Sequence, residues 1–180
     1  SIELVEQYRK PGMHVTYAIQ TNGTLLDDAW AAFFKQHNFL VGISIDGPRA
    51  MHDAYRVDKG GQPTFDKVMR GLGFLQAHGV EYNTLTTLHR ANADHPVEVY
   101  RFLRNECKSN FIQFIPIIER VPASALTQAD AAAQLAVPGQ VSTAPWSSWR
   151  DRPLYTQAGE LITARSLPPE QYGDFLIRVF

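Results

Sequence analysis

Strand-like and helix-like segments alternate along most of this 180-residue sequence. The segment "NFLVGISI", residues 38–45, is almost continuously apolar, which is typical of a strand buried on both faces of a parallel sheet. After a polar loop, "TFDKVMRGLGFLQAHG", residues 64–79, has apolar residues at helical spacing, with Thr64 as its candidate N-cap. Parallel strands need crossover connections, which are usually helices, so this order predicts an α/β fold.

The same pattern predicts four strands and the helices that connect them. The strands are expected at residues 13–21, 38–45, 80–88 and 110–118, and the helices at 2–9, 25–37, 64–79, 95–107 and 171–180. Helical periodicity is lost between about 119 and 166, which predicts a long insertion or loop. We therefore divide the chain into strand and helix repeats at 1–118, this insertion at 119–166, and a helical segment at 167–180.

Composition excludes several classes of function. The 17 Lys and Arg residues nearly balance the 18 Asp and Glu residues, so we expect no binding to nucleic acid or an anionic membrane through net charge. Cys107 is the only cysteine, which excludes a disulfide framework and a cysteine-only metal site within the sequence. No apolar run approaches the roughly 18 residues of a membrane span, and the first residues do not resemble a signal peptide. A cytoplasmic protein is the expectation.

Polar side chains gather where the four predicted strands end. Ligands of parallel α/β sheets bind beyond the carboxyl ends of the strands, so these residues predict a binding pocket. Each residue also has a purely structural interpretation, because Asn and Asp shape turns and Thr favours strands. The strand-end residues are Gln20, Thr21, Asn22, Ser44, Asp46, Gly47, Thr86, Thr87, His89, Gln113, Pro116 and Ile117.

Common catalytic motifs are not found in the sequence. It contains no phosphate-binding GxxxxGK[ST] loop, no HExxH zinc motif and no nucleophile elbow. Cys107 follows an amphipathic helix, so we interpret it as a small, half-buried hydrophobic residue and not as a nucleophile.

Three segments, in this order and spacing, resemble the anaerobic sulfatase-maturating enzymes, which are radical S-adenosylmethionine (SAM) proteins with an auxiliary iron-sulfur cluster domain. They are "YAIQTNGTLLDDAW" at 17–30, "FLVGISIDGPRAMHDAYR" at 39–56 and "FIQFIPIIER" at 111–120. The similarity resumes at "PPEQYGDFLIRVF", residues 168–180. The resemblance implies a partial (β/α)₆ barrel, similar to a TIM barrel, of which this chain supplies four parallel strands.

The resemblance also assigns cofactor-binding residues. It implies that Ser44 and Arg56 hold the SAM carboxylate, which agrees with the ability of a guanidinium to bind a carboxylate while a hydroxyl donates a second hydrogen bond. Ile117 would offer backbone polar groups and an apolar wall to the adenine. Asn22 and Asp46 would lie near the nucleoside or shape its loops. The alternative for Arg56 is a solvated charge that balances Asp53 or Asp58.

By resemblance, the function is oxidation of an active-site Cys or Ser of a sulfatase to formylglycine. The implied cofactors are SAM and [4Fe-4S] clusters, and the implied partners are a sulfatase polypeptide and an electron donor such as flavodoxin or ferredoxin. The reaction would begin with a 5'-deoxyadenosyl radical that takes a hydrogen atom from the substrate Cβ. No residue of this chain is assigned as a catalytic residue, and none as a metal ligand.

The sequence departs from the family pattern in one important way. The CxxxCxxC loop that binds the SAM-cleaving cluster is not present, and neither are the auxiliary-cluster cysteines. We therefore expect an internal fragment that is inactive alone, with the N-terminal cluster loop and the C-terminal cluster domain outside it. Two alternatives remain open: another peptide-modifying radical SAM maturase, and an inert fragment that has lost its cluster loop.

Overall fold

The computed structural model describes residues 2–121, 161–162 and 166–180. Most of the predicted insertion at 119–166 lies outside these ranges, so the division of the chain into three parts stays a prediction. The strands are β1 Tyr17–Thr21, β2 Phe39–Ser44, β3 Glu81–Leu88, β4 Ile112–Pro116, β5 Arg120–Val121 and β6 Leu161–Ile162. The helices are α1 Ile2–Tyr8, α2 Asp28–Gln36, α3 Arg49–Asp53, α4 Phe65–Ala77, α5 Pro96–Arg101 and α6 Pro169–Val179.

Strands β1 to β4 form one parallel sheet in the order in which they follow along the chain. This confirms the α/β fold and the four parallel strands predicted from the alternation of apolar patterns. Strands β5 and β6 pair in an antiparallel two-stranded sheet. None of the helices in the described part of the chain has the length and apolarity needed to cross a membrane.

One face of the parallel sheet is covered by helices and contains the hydrophobic core. Val41 and Ile43 of β2 are fully buried there, together with Leu72 and Leu75 of α4. Because successive side chains of a strand point to opposite faces, Gly42 and Ser44 belong to the other face. We call this second face the open face. A β-carbon added at Gly42 would meet the side chains of Gln20 and Leu85, which places those two residues on the open face as well.

Two predicted features of the helices need correction. Thr64 does not cap α4 with its hydroxyl. The carboxylate of Asp53 instead accepts hydrogen bonds from the backbone N–H groups of Thr64 and Phe65, at 3.1 and 2.9 Å. In addition, the helix predicted at 95–107 is α-helical only to Arg101 and continues as a π-helical turn over Phe102–Glu106.

The loop after β1 and helix α4 approach each other through two glycines. Gly23 has φ +73°, a backbone conformation that glycine adopts without strain. A β-carbon on Gly71 would lie 2.3 Å from the carbonyl oxygen of Gly23, so only glycine fits at this contact. The backbone of the loop between β1 and α2 is thereby held against α4.

Candidate functional site

An ion pair at the carboxyl edge of β2 and β3 is the centre of the candidate site. Asp46 follows the end of β2 and is 2% exposed, while Arg56 comes from the loop after α3. Nε and Nη2 of Arg56 donate to the two carboxylate oxygens of Asp46, at 2.5 and 2.9 Å. Nη2 also donates to the hydroxyl of Thr87 in β3, at 3.1 Å. Arg56 is therefore fixed at the edge where parallel α/β sheets bind ligands.

Asp46 is ionised in this environment. Burial alone raises the pKa of its carboxyl, but the His89 ring, the Arg56 guanidinium and the backbone N–H of Thr87 together hold that pKa below its usual value. The Thr87 N–H donates to Asp46 at 2.8 Å. A buried carboxylate with a cationic partner and a backbone donor is electrostatically compensated, and it orients the cation that it binds.

Asn92 joins the ends of β2 and β3. Its buried side-chain amide donates to the backbone carbonyls of Asp46 and Thr87, at 2.9 and 2.8 Å, and accepts from the backbone N–H of His89 at 2.9 Å. All three hydrogen bonds of this amide are therefore made to backbone groups of the site. Asn92 was not among the residues singled out from the sequence, because it lies four residues beyond the end of β3.

His89 faces the ion pair without completing a hydrogen bond to it. Its Nδ1 accepts from the backbone N–H of Ala91 at 3.2 Å, so the ring proton of the neutral form lies on Nε2. Nε2 is 3.7 Å from an oxygen of Asp46 and has no hydrogen-bond partner among the described residues. His89, one of the strand-end residues predicted to line the pocket, therefore presents its N–H toward the Asp46 carboxylate.

Ser44 and Arg56 both retain unused donors. Within the part of the chain that the structure describes, neither the hydroxyl of Ser44 nor Nη1 of Arg56 makes a hydrogen bond. Ser44 ends β2 on the open face, and its register partner Leu85 lies two residues before Thr87, which Arg56 contacts. One edge of the Arg56 guanidinium is taken by Asp46, so Nη1 is the group left for a ligand.

The alternative partners considered for Arg56 are engaged elsewhere. Asp53 caps α4, as described above, and Asp58 forms an ion pair with Lys67 at 2.8 Å. Arg56 is 25% exposed through its side chain and is paired with Asp46. The interpretation of Arg56 as a solvated charge that balances Asp53 or Asp58 is therefore wrong.

The other two residues predicted to contact the cofactor, Asn22 and Ile117, make hydrogen bonds within the protein. The Asn22 side chain accepts from the backbone N–H and the hydroxyl of Thr24, at 3.2 and 2.9 Å, so it shapes the loop after β1. The backbone N–H of Ile117 donates to Leu88, and its carbonyl accepts from Leu167. The carbonyl has a second lone pair and can still accept from a ligand. Contact between either residue and SAM stays a prediction.

The open face presents side-chain amides that make no hydrogen bond to the described residues. Gln20, Asn83 and Gln113 lie on this face by strand register, and the described residues provide no hydrogen bond to any of the three amides. Gln20 and Gln113 are exposed, and Asn83 is partly buried. Asn83 was not singled out from the sequence because it lies in the middle of a strand. Unpaired amides can both donate to and accept from a bound molecule.

The described residues do not provide a metal site. They contain no group of three or more His, Cys, Asp or Glu side chains that could hold an ion. Cys107 is completely buried, and burial raises the pKa of its thiol to about 12, so it is not a thiolate ligand at neutral pH. Its interpretation as an inert hydrophobic residue agrees with this position, although it is fully buried and not half-buried. A cavity of about 620 Å³ lies at the amino edge of β2 and β3, away from the ion pair.

Comparison with known proteins agrees with this architecture. Residues 2–103 match the model of the Radical SAM superfamily. The chain belongs to the radical SAM superfamily. A solved structure of native anSMEcpe with bound AdoMet superimposes on 99% of the chain with a TM-score of 0.73 at 30% sequence identity, and the chain covers 39% of that protein. Native anSMEcpe with bound AdoMet and Cp18Cys peptide superimposes with a TM-score of 0.72 at 29% identity, over the same shares.

Several curated relatives of the chain are anaerobic sulfatase-maturating enzymes. The chain is 46% identical over 121 residues to the serine-type enzyme of Bacteroides thetaiotaomicron. The aligned region covers 67% of the chain and 29% of that enzyme. It is 40% identical over 120 residues to the cysteine-type enzyme of Clostridium novyi, covering 67% of the chain and 32% of that enzyme. This radical SAM chain thus spans about a third of the length of these curated relatives.

Proposed function

We propose that these 180 residues are the SAM-binding part of an anaerobic sulfatase-maturating enzyme. The observation that supports this most strongly is the 46% identity over 121 residues to a serine-type enzyme. The residues needed to hold the cluster are not in the described part of the chain, so the reaction requires protein segments beyond it. The proposal includes [4Fe-4S] clusters bound by those segments.

Ser44 and Arg56 would hold the SAM carboxylate in this enzyme. Asp46 and Thr87 fix Nε and Nη2 of Arg56, which leaves Nη1 to donate to the carboxylate while the Ser44 hydroxyl donates a second hydrogen bond. Because Asp46 neutralises part of the cation, the pair positions the ligand more than it attracts it by net charge. We also propose that Ile117 lies near the adenine, and that Asn22 and Asp46 lie near the nucleoside or shape its loops.

SAM held by these residues would supply the radical chemistry for oxidising the Cβ of a substrate Cys or Ser. The residues of this chain bind and orient the cofactor, and they exclude water from the reacting groups. Cleavage needs an electron, so the proposal includes a donor such as flavodoxin or ferredoxin. It also places the enzyme in the cytoplasm, where such donors operate.

The substrate would be an extended sulfatase segment lying across the open face. A peptide backbone offers alternating N–H and C=O groups, and the free amides of Gln20, Asn83 and Gln113 can pair with both. Recognition through the main chain tolerates different side chains around the target residue. We expect Gln113→Leu to raise the KM for peptide while the SAM dissociation constant stays unchanged. An unchanged peptide KM would contradict this part of the proposal.

The decisive test is the reaction itself. The full-length protein, with its clusters reconstituted under anaerobic conditions, is mixed with SAM, a reductant and matched sulfatase peptides that differ only in Cys or Ser at the target position. Formation of formylglycine in either peptide, detected by mass spectrometry, is the expected result. Cleavage of SAM with no product on either peptide would instead support another peptide-modifying maturase. Failure to bind or cleave SAM would support an inert protein.

A further inference from the structure

Two buried side chains join the backbones of the ion-pair partners without belonging to the pair. His52, in α3, is completely buried, and Thr64, just before α4, is 6% exposed. The backbone N–H of Asp46 donates to Nδ1 of His52 at 3.3 Å, and Nε2 of His52 lies 3.2 Å from the Thr64 hydroxyl. That hydroxyl donates to the backbone carbonyl of Arg56 at 2.7 Å. We call these three contacts the loop relay.

The loop relay has only one consistent arrangement of protons. Since the Asp46 N–H must donate, Nδ1 of His52 is the acceptor and the ring proton of the neutral form lies on Nε2. Nε2 then donates to Thr64, whose own proton is used on the Arg56 carbonyl. Each polar group of the loop relay thus has a partner, and the buried His52 ring stays neutral.

The loop relay fixes the backbone at both partners of the ion pair. Asp46 and Arg56 are ten positions apart, with the short helix α3 between them, so their side chains would meet only part of the time if this segment were free. A second contact reinforces the relay, because the backbone N–H of Arg56 donates to the carbonyl of His52 at 3.0 Å. The guanidinium can therefore reach Thr87 from a fixed starting point.

We propose that His52 and Thr64 are positioning residues for Arg56, and that the loop relay sets the affinity for SAM without touching it. This inference rests on the proposed role of Arg56 in holding the SAM carboxylate. Loss of the relay should displace Arg56 and weaken SAM binding, while turnover at saturating SAM changes little because no reacting group is removed.

The test compares two isosteric substitutions of buried threonines in the full-length, cluster-reconstituted protein. Thr64→Val breaks the relay, whereas Thr84→Val removes a buried hydroxyl that donates to Ser109 at 2.9 Å, on the helix-covered face of β3. We expect comparable losses of thermal stability in both variants. Only Thr64→Val should raise the SAM dissociation constant and the KM for SAM, by about fivefold or more, with kcat within about twofold. Thr64→Ser, which keeps the hydroxyl, should restore most of the affinity.

His52→Asn is a second relay variant, for use if Thr64→Val does not fold. Its amide can still accept from Asp46 but is too short to reach Thr64, and we expect the same rise in the SAM dissociation constant. Arg56→Ala separates the inference from the proposed function. If Arg56→Ala loses SAM binding while the relay variants bind like wild type, the positioning role is refuted and the function stands. If Arg56→Ala itself binds SAM normally, the proposed function of Arg56 fails.

Discussion

Asp46 acts at the residue scale by holding Arg56, and its charge can be removed without changing its shape. In Asp46→Asn, one side-chain oxygen becomes an NH₂ group that opposes the guanidinium, and the buried site loses its compensating charge. We expect a loss of stability of about 1–3 kcal/mol and a SAM dissociation constant raised by about tenfold. Calorimetric titration with SAM and thermal unfolding measure the two effects.

Arg49 provides the control for this prediction. Arg49 begins α3 and forms an ion pair with Asp66 that also has two hydrogen bonds, but both partners are exposed. Exposed ion pairs contribute little to stability, so Asp66→Asn should change stability by less than about 1 kcal/mol and leave SAM affinity unaltered. Equal effects of Asp46→Asn and Asp66→Asn would show that the ion pair at the strand edge has no special role.

The pH dependence of stability offers a second test at this scale. Burial lowers the pKa of His52 to about 4. Nearby groups have smaller effects that oppose one another, because Asp46 and Asp53 raise this pKa whereas Arg56 and His89 lower it. In the unfolded chain, His has a pKa of ~6.5, so the unfolded chain binds more protons than the folded chain between about pH 4 and pH 6.5. The stability of the folded chain therefore falls as the pH drops through that window. His52 should account for up to about 3 kcal/mol of this loss.

Thermal unfolding of wild type and His52→Gln between pH 6.5 and pH 4.5 measures this contribution. The wild-type midpoint should fall more steeply with acid than that of the variant, because only the wild type has the buried His52 ring to protonate. His14→Gln, at an exposed histidine, should follow the wild type. Identical slopes for wild type and His52→Gln would mean that His52 is already charged or accessible in the folded protein.

At the scale of elements, the contact between Gly23 and Gly71 makes a sharp prediction. Gly71→Ala places a methyl group 2.3 Å from a backbone carbonyl that cannot rotate away, so we expect a loss of about 2–4 kcal/mol in the free energy of unfolding. Gly73→Ala, two residues further along α4, meets nothing within 4 Å and should stabilise the helix by about 0.5–1 kcal/mol. Urea unfolding of the two variants compares them directly.

Periodicity was sufficient to predict the long elements but not the short ones. The four strands and helices α2 and α4 lie within the predicted segments, because each shows at least two repeats of its apolar pattern. Helix α3 has only five residues, too few to show a helical period, so the loop after β2 was predicted without it. The cap of α4 by Asp53 could not be predicted either, since it joins residues that are eleven and twelve positions apart.

The same limit applies to the candidate site. The strand-end rule placed Ser44, Asp46 and Thr87 at one edge of the sheet, as the structure has them. Pairing of Arg56 with Asp46 depends on the path of the intervening loop, which no local sequence pattern specifies. Asn92 was missed because its role depends on contacts with the backbone of Asp46 and Thr87. Asn83 was missed because it stands out only by making no side-chain hydrogen bond to the described residues.

At the scale of the whole molecule, helices cover one face of the parallel sheet, and the strand-to-helix loops gather at one of its edges. Because β1 to β4 are consecutive and parallel, every strand-to-helix loop emerges at the edge that contains Ser44 and Arg56. On the open face, Gln113 lies close to that edge, in register with Leu85, the partner of Ser44, whereas Asn83 lies nearer the amino edge and lines the cavity there. Under the proposed function, the cofactor site at this edge and the substrate surface on the open face would adjoin each other.

The central claim is that Ser44 and Arg56 bind the carboxylate of SAM. Decarboxylated SAM lacks only this group, so a comparison of the two ligands tests the claim directly. We would measure the dissociation constants of both ligands for the full-length wild type and for Arg56→Ala. The wild type should bind SAM at least about tenfold more tightly than the decarboxylated ligand, a difference of about 1.4 kcal/mol, and Arg56→Ala should lose most of this preference. An Arg56→Ala variant that still discriminates between the two ligands as strongly as the wild type would contradict the account.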